Sequence, residues 1–319
     1  MNKRIKIFSR LIFLSIIVTY LVILAGSIVR ATGSGMGCPD WPKCFGQYIP
    51  PTDLSQLPEN YKEVFKVQGK EIADFNALHT WVEYLNRLLG VVMGFLVLGV
   101  LIFSFLVRKE FSKMYIFSSV VFLATLFQAW LGAKVVYSNL APLKITIHMV
   151  FALIILAALI YQYHTVNSTA QKEKLKINAL KKASFLLLIF SILQILLGTQ
   201  VRQQIDEIAL QYGNSLRNKW ILNLNWIFDV HKTLAAVLIG LCFYIYFESK
   251  KLKENNTKYF SLPNFLLIAV GLEFFVGLIL NYAAIPAFFQ PVHLIFSSVI
   301  FGIVFKIYLE QSFSFSTIN

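Results

Sequence analysis

Three histidines, His148, His231 and His293, lie within a few residues of the same end of three long apolar runs. An ionisable side chain inside an apolar span is costly unless it faces a cavity, a partner or a cofactor, so each is a functional candidate. One such histidine can simply bond a neighbouring helix, but recurrence at matched positions favours a ligand role. His231 and His293 stand at similar depth in the same half of the chain, and two imidazoles facing each other across a bundle suit axial ligation of a haem iron. Zinc fits less well, because no carboxylate or thiol stands nearby to complete a tetrahedral set. In the other half, His148 is the one clear ligand. Upstream of it, His79, Glu83, Asn86, Arg87 and Gly90 recur at helical spacing, placing a carboxylate, an amide and a guanidinium on one stripe, about 12 Å long from His79 to Arg87. Arg30, Arg87, Arg202 and Lys232 are candidates for pairing with haem propionates, with snorkelling to lipid headgroups as the alternative. The two-ligand half therefore suits a haem closed to chemistry and fit for electron transfer. The half with one clear ligand and Glu83 suits a reactive or exchangeable haem.

These residues need a scaffold, and composition says which. With 57% hydrophobic and 14% charged residues and a mean hydropathy of +0.66, the chain exceeds the apolar content of a soluble domain. Runs long enough to cross a hydrocarbon core fall at about 11–29, 79–107, 114–137, 145–165, 183–203, 227–248, 262–284 and 288–309. They predict eight transmembrane helices, an all-α polytopic membrane protein in a lipid bilayer. The net charge of +13 could suggest nucleic acid, but its placement argues for topology. Sixteen cations fall on one side, from Lys3, Arg4 and Arg10 through Lys172–Lys182 to Lys258, against seven on the other. The positive-inside rule then puts both termini in the cytoplasm. The first apolar run is full length without an obvious cleavage site, so it is expected to be kept as a span. A bacterial plasma membrane is the simplest address.

The basic segment 168–182 looks like a joint between an N-terminal half (1–167) and a C-terminal half (183–319). An internal repeat supports that division. "LAGSIVR" (24–30) matches "LLGTQVR" (196–202), and Gly132 precedes His148 as Gly277 precedes His293. "NRLLGVVMG" (86–94) aligns on "HKTLAAVLIG" (231–240) with one gap, so Asn86 falls where the second half has His231. Four spans per copy give both copies one orientation, hence two four-helix bundles related by a pseudo-two-fold axis along the membrane normal. The outer loops 32–78 and 204–226 are long enough to cap the helices. The first carries "TGSGMGCPDWPKC" (32–44), whose Cys38 and Cys44 face a compartment where disulfides persist. A small disulfide ring, free reactive thiols and a redox-cycled pair are the readings, the ring preferred. Cys242 reads as packing.

"TGSGMGCPDWPKCFG" after Arg30, "WVEYLNR" opening the second span, and the histidines in spans four, six and eight resemble the haem A synthase family of the CtaA type. The resemblance covers nearly the whole chain. It implies oxidation of the C8 methyl of haem O, the substrate, to a formyl group by successive hydroxylations and loss of water. By the same resemblance, His231 and His293 hold a resident haem b, the N-terminal bundle receives haem O, and Glu83 handles protons or activates the methyl. A haem O synthase and an electron acceptor are implied partners. One departure stands out: the family commonly has histidine where this chain has Asn86. The substrate iron is then held by His148 alone or with help from His79, about 10 Å along the helix from Asn86 at about 1.5 Å per residue. Asn86 can instead hydrogen-bond a sixth ligand or water. Two rival classes are a di-haem electron-transfer cytochrome, which leaves Glu83 and the cysteine loop without a reason, and a parallel-repeat transporter. The second would need a span broken at mid-membrane by Gly and Pro; Pro286 and Pro291 instead flank the turn between the last two spans.

Overall fold

The computed structural model describes residues 2–168, 178–251 and 257–312, leaving out the side chains of Asn214, Ser215, Asn218 and residues 257–260. Most of the basic linker at 168–182 lies outside the described residues, as do 252–256. Eight long helices account for the fold: α1 Lys3–Ala31, α2 Ala77–Leu106, α3 Met114–Tyr137, α4 Pro142–Asn167, α5 Asn178–Tyr212, α6 Trp226–Lys250, α7 Thr257–Tyr282 and α8 Phe289–Ser312. All eight are long and apolar enough to cross a membrane, and no strand occurs among the described residues. Large apolar side chains turn outward, Phe95 at 70% exposure and Phe275 at 60%, as expected of surfaces meant for lipid. Buried hydroxyls satisfy themselves locally: Ser15 donates to the Leu11 carbonyl (2.8 Å), Thr19 to Ser15 (2.7 Å) and Ser249 to Ile245 (2.7 Å).

One expected boundary moves. The third outer loop does not begin at 204, because α5 runs on to Tyr212. Its added turns are polar outward and apolar inward. Arg202 pairs with Asp206 one turn on, while Ile205 and Ile208 are buried against Trp220. Sequence hydropathy ended the run at the first charges, whereas an amphipathic extension needs only one apolar face.

The chain divides into two compact units at Val166 and Asn167. In the second, α5 packs on α6 and α8, and α7 also packs on both, closing a ring of four. In the first, α2 packs along α1 and α3, and α4 joins through the ring pairs Phe13–Tyr163, Phe117–Tyr161 and Phe127–Phe151. The turns between α3 and α4 and between α7 and α8 repeat each other. Asn139 and Leu140 in one, Ala284 and Ile285 in the other, hold φ between 51° and 61°. In both, the second of these donates five residues back, Leu140 to Val135 (3.0 Å) and Ile285 to Leu280 (3.1 Å). Non-glycine residues rarely adopt this conformation, so its recurrence marks one helix–turn–helix device used twice.

Packing within the second unit is stratified. A lower cluster joins Leu187, Cys242, Leu266 and Val304, with Leu188 and Leu238 at its upper edge. An upper cluster joins Val201, Ile205, Trp220 and Ile285, with Phe228 and Leu280 at its lower edge. Neither cluster draws a residue from between Phe228 and Leu238 of α6, a layer about 15 Å thick at about 1.5 Å per residue. His231 and His293 belong to that layer. The first unit likewise has a lower cluster, around Phe8, Val97, Val121 and Leu159, and an upper one built from the loop, Cys38, Cys44, Phe45 and Tyr61. Trp220 is 3% exposed in the upper cluster of the second unit. Trp220→Ala is expected to cost about 3–5 kcal/mol, seen as a clear fall in the unfolding midpoint of detergent-solubilised protein.

Candidate functional site

The polar layer is organised by glycines. A Cβ placed on Gly132 of α3 would stand 3.3 Å from His148 Cε1, one on Gly198 of α5 3.4 Å from His231 Cε1, and one on Gly277 of α7 3.5 Å from His293 Cε1. The fourth pair follows the same plan with a different side chain: a Cβ on Gly26 of α1 would come 3.9 Å from Asn86 Oδ1. Each odd-numbered helix thus offers bare backbone to the ligand-type residue of the helix that follows. A Cβ at Gly132 would press on the His148 ring, and one at Gly198 or Gly277 would meet its imidazole in van der Waals contact, so glycine lets each ring lie directly on the backbone. Sequence reading noted these glycines as markers of the repeat and missed that each one seats a side chain.

One turn before three of those glycines stands a polar residue that sequence reading passed over. Gln128 donates to the His148 carbonyl at 2.8 Å, and Gln194 to the His231 carbonyl at 3.1 Å. The third is a carboxylate, Glu273, with Oε2 3.2 Å from His293 Nδ1. The Ser297 hydroxyl lies within hydrogen-bond reach of the other Glu273 oxygen and of the His293 carbonyl (3.1 Å), its single proton serving either acceptor. The signal was there to be found: a polar residue four before a glycine, recurring in spans three, five and seven. In α1 the position is Val22, so the Asn86 pair lacks this support as well as the imidazole.

Do these residues fit a haem? The His231 and His293 ring centroids lie 6.4 Å apart. Two imidazoles on one metal, each bonded at about 2.0–2.1 Å, place their ring centres about 6 Å apart, so the pair stands at the separation an axially ligated iron requires. His148, His231 and His293 each leave Nδ1 buried without a hydrogen-bond partner. An unpaired buried nitrogen costs about 1–3 kcal/mol, and the other ring nitrogen of His231, Nε2, has Gln194 Nε2 at 3.4 Å. Among the described residues, no group of three or more His, Cys, Asp or Glu could hold a bare metal ion. The donor set suits a metal that brings its own equatorial ligands.

In the first unit the expected stripe on α2 divides. Asn86 turns to Gly26, with its Oδ1 buried and unpartnered. Glu83 and Arg87 serve the cysteine loop. Glu83, 3% exposed, accepts the Cys38 N–H at 2.9 Å through Oε2 and pairs with Arg87 through Oε1. Arg87 then donates to three loop carbonyls, Asp40 (2.6 Å), Cys38 (2.8 Å) and Lys43 (3.0 Å). Thr80 adds a bond to the Gly37 carbonyl (2.9 Å) and Tyr84 one to Tyr48 (2.7 Å). Gly37 itself lies against the His79 carbonyl, where a Cβ would collide. Within the loop, Asp40 accepts the Phe45 and Gly46 N–H groups (2.6 and 2.9 Å). The Cys38 and Cys44 sulfurs stand at disulfide distance, with Cα atoms 4.8 Å apart.

The remaining candidates are more peripheral. His79 lies in the first turn of α2, where its N–H is taken by the Asn76 cap at 3.1 Å. Arg30 occupies the last turn of α1. Arg202 is engaged with Asp206, and Lys232, half exposed, with Asp229 at 3.0 Å. Cys242 is 1% exposed in the lower cluster, as packing predicts.

Eight apolar helices carrying glycine-seated polar layers define an all-helical polytopic membrane protein. The sequence matches the cytochrome oxidase assembly protein family, COX15-CtaA, over residues 9–305. The chain belongs to that family. Heme A synthase of Exiguobacterium sibiricum is 24% identical over 81% of this chain and 79% of its own. That of Flavobacterium johnsoniae is 24% identical over 87% and 89%, and that of a Wolbachia from Brugia malayi 23% identical over 94% and 96%.

Arg87 is the hub of the loop, and no other residue type presents five donors in a planar fork. Arg87→Ala leaves Glu83 as an uncompensated buried charge and should destabilise by about 3–5 kcal/mol, with protease cleavage of the 32–60 segment as the readout. Arg87→Lys should restore the charge and only part of the resistance. Full resistance in Arg87→Ala would contradict this reading.

Proposed function

We propose that this protein is a haem A synthase that oxidises the C8 methyl of haem O to a formyl group by successive hydroxylations, with a resident haem b for electron transfer. The observation that carries the reading is the His231–His293 pair at 6.4 Å in a layer between the apolar clusters above and below it. Family membership and the relatives' name, heme A synthase, support haem A as the product. When bound, haem b supplies one-electron redox chemistry between substrate and acceptor. His231 and His293 would hold its iron, and Gly198 and Gly277 keep the two rings seated.

The N-terminal unit would take haem O as substrate through His148. Asn86 supplies no strong ligand, so the opposite face of the substrate iron is left open or carries water held by the amide. His79 lies at the loop seam, too far along α2 to stand in for Asn86 without a shift of the substrate. Arg87 shapes the rim through the loop carbonyls. Glu83 accepts from Cys38 through one oxygen and pairs with Arg87 through the other, and its remaining acceptor capacity is what would take a proton in the oxidation. We propose the Cys38–Cys44 ring as a disulfide that stiffens this rim. Arg30, Arg202 and Lys232 are proposed propionate partners, the last two exchanging Asp206 and Asp229 for them. We further propose two pseudo-two-fold-related bundles with both termini cytoplasmic in a bacterial plasma membrane, supported by the repeated glycine–ligand pairs and the cation distribution. Haem O synthase and an electron acceptor are the proposed partners.

Co-expression with a haem O supplier, followed by haem extraction, tests the activity. Haem A should accumulate, and unchanged haem O beside well-folded protein would contradict the assignment. His231→Ala and His293→Ala should each remove the resident haem from the purified protein. Glu83→Gln should retain that haem and a protease-resistant loop while oxidation falls at least tenfold; full turnover would remove Glu83 from the chemistry.

A further inference from the structure

Of the three histidines in the polar layers, His293 is the one that faces a carboxylate. Its Nδ1 lies 3.2 Å from Glu273 Oε2. The matched positions hold neutral amides, Gln128 and Gln194, and both of those donate to backbone carbonyls. Glu273 is fixed from the far side by Ser297, one turn after His293 on α8. It is 16% exposed in its side chain, and nothing in the reading above uses it. An ionisable side chain inside a span is a functional candidate by default.

We propose that Glu273 is a positioning residue for the axial ligand His293, acting through Nδ1 to set the reduction potential of an iron bound at Nε2. The inference rests on the reading that His231 and His293 hold a haem. In the structure the Nδ1–H is out of line, so ion-pair distance is met without a hydrogen bond. Coordination through Nε2 fixes the rotation of the ring, and a carboxylate at Nδ1 is the usual partner of a ligated histidine. A carboxylate there makes the imidazole a stronger donor, which favours ferric over ferrous iron and lowers the potential. Gln128 brings no such charge to His148. One side-chain difference thus gives the two bundles unequal electron affinity, with the resident haem the better reductant.

Potentiometric titration of purified protein in detergent tests this. Glu273→Gln should retain its haem and its low-spin spectrum. Its ratio of reduced to oxidised haem at fixed ambient potential should rise about tenfold, equivalent to about 59 mV for a one-electron couple. Ser297→Ala, which frees the carboxylate without removing it, should shift the ratio the same way by less. A Glu273→Gln protein with bound haem at the wild-type potential would overturn the proposal. So would loss of haem in Glu273→Gln combined with an unshifted Ser297→Ala. Wild-type protein without haem would instead sink the haem reading on which the proposal stands, so the two failures are told apart.

Discussion

A glycine facing an imidazole is the contact on which the rest of this structure depends. An imidazole at membrane depth is too wide to sit between two closely packed helices and too polar to face lipid. Glycine on the opposing helix lets the ring lie against bare backbone, where a Cβ would stand 3.3 Å from the His148 ring and within van der Waals contact of the His231 and His293 rings. The solution recurs at Gly132, Gly198 and Gly277, and Gly26 applies the same seat to Asn86. Below the seats the helices close with aliphatic side chains. Above them the second unit closes with Trp220 and its neighbours, and the first with the cysteine loop. Each polar layer is therefore bounded by apolar clusters above and below.

The two units share this plan and differ in what fills it. One seats two histidines at metal-bridging distance and adds a carboxylate behind one of them. The other seats one histidine and an asparagine, and spends its carboxylate on a rim. The Glu83–Arg87 pair is a mechanical link as much as a chemical one: a single guanidinium reaches three loop carbonyls and the buried carboxylate together. Any motion of the Cys38–Cys44 loop is thereby felt within one helical turn of Asn86. On the proposed haem reading, a ligand-saturated layer would serve electron transfer and an unsaturated one chemistry, which would give the units different work.

Much of this was legible in the sequence, and for identifiable reasons. Eight spans follow from apolar length, and the histidines stood out because charge and polarity are rare in such runs. Glycine spacing exposed the repeat. What the sequence hid was direction. The helical stripe from His79 to Gly90 looked like one functional face, yet Glu83 and Arg87 turn to the loop while Asn86 turns to α1. The α5 extension was hidden because hydropathy ends where charges begin, although Ile205 and Ile208 still bury one side. Gln128, Gln194 and Glu273 were overlooked as isolated polar residues, since their meaning lies in the turn of helix separating each from a glycine and in the histidine across the way.

The central claim is that the two layers hold iron differently: bis-histidine in the C-terminal unit, and His148 without a second strong ligand in the N-terminal one. Electron paramagnetic resonance of the ferric protein, loaded with haem O, tests it most directly. The account predicts one low-spin signal that disappears in His231→Ala or His293→Ala and one high-spin signal that disappears in His148→Ala alone. Two low-spin signals, or a high-spin signal indifferent to His148, would contradict it.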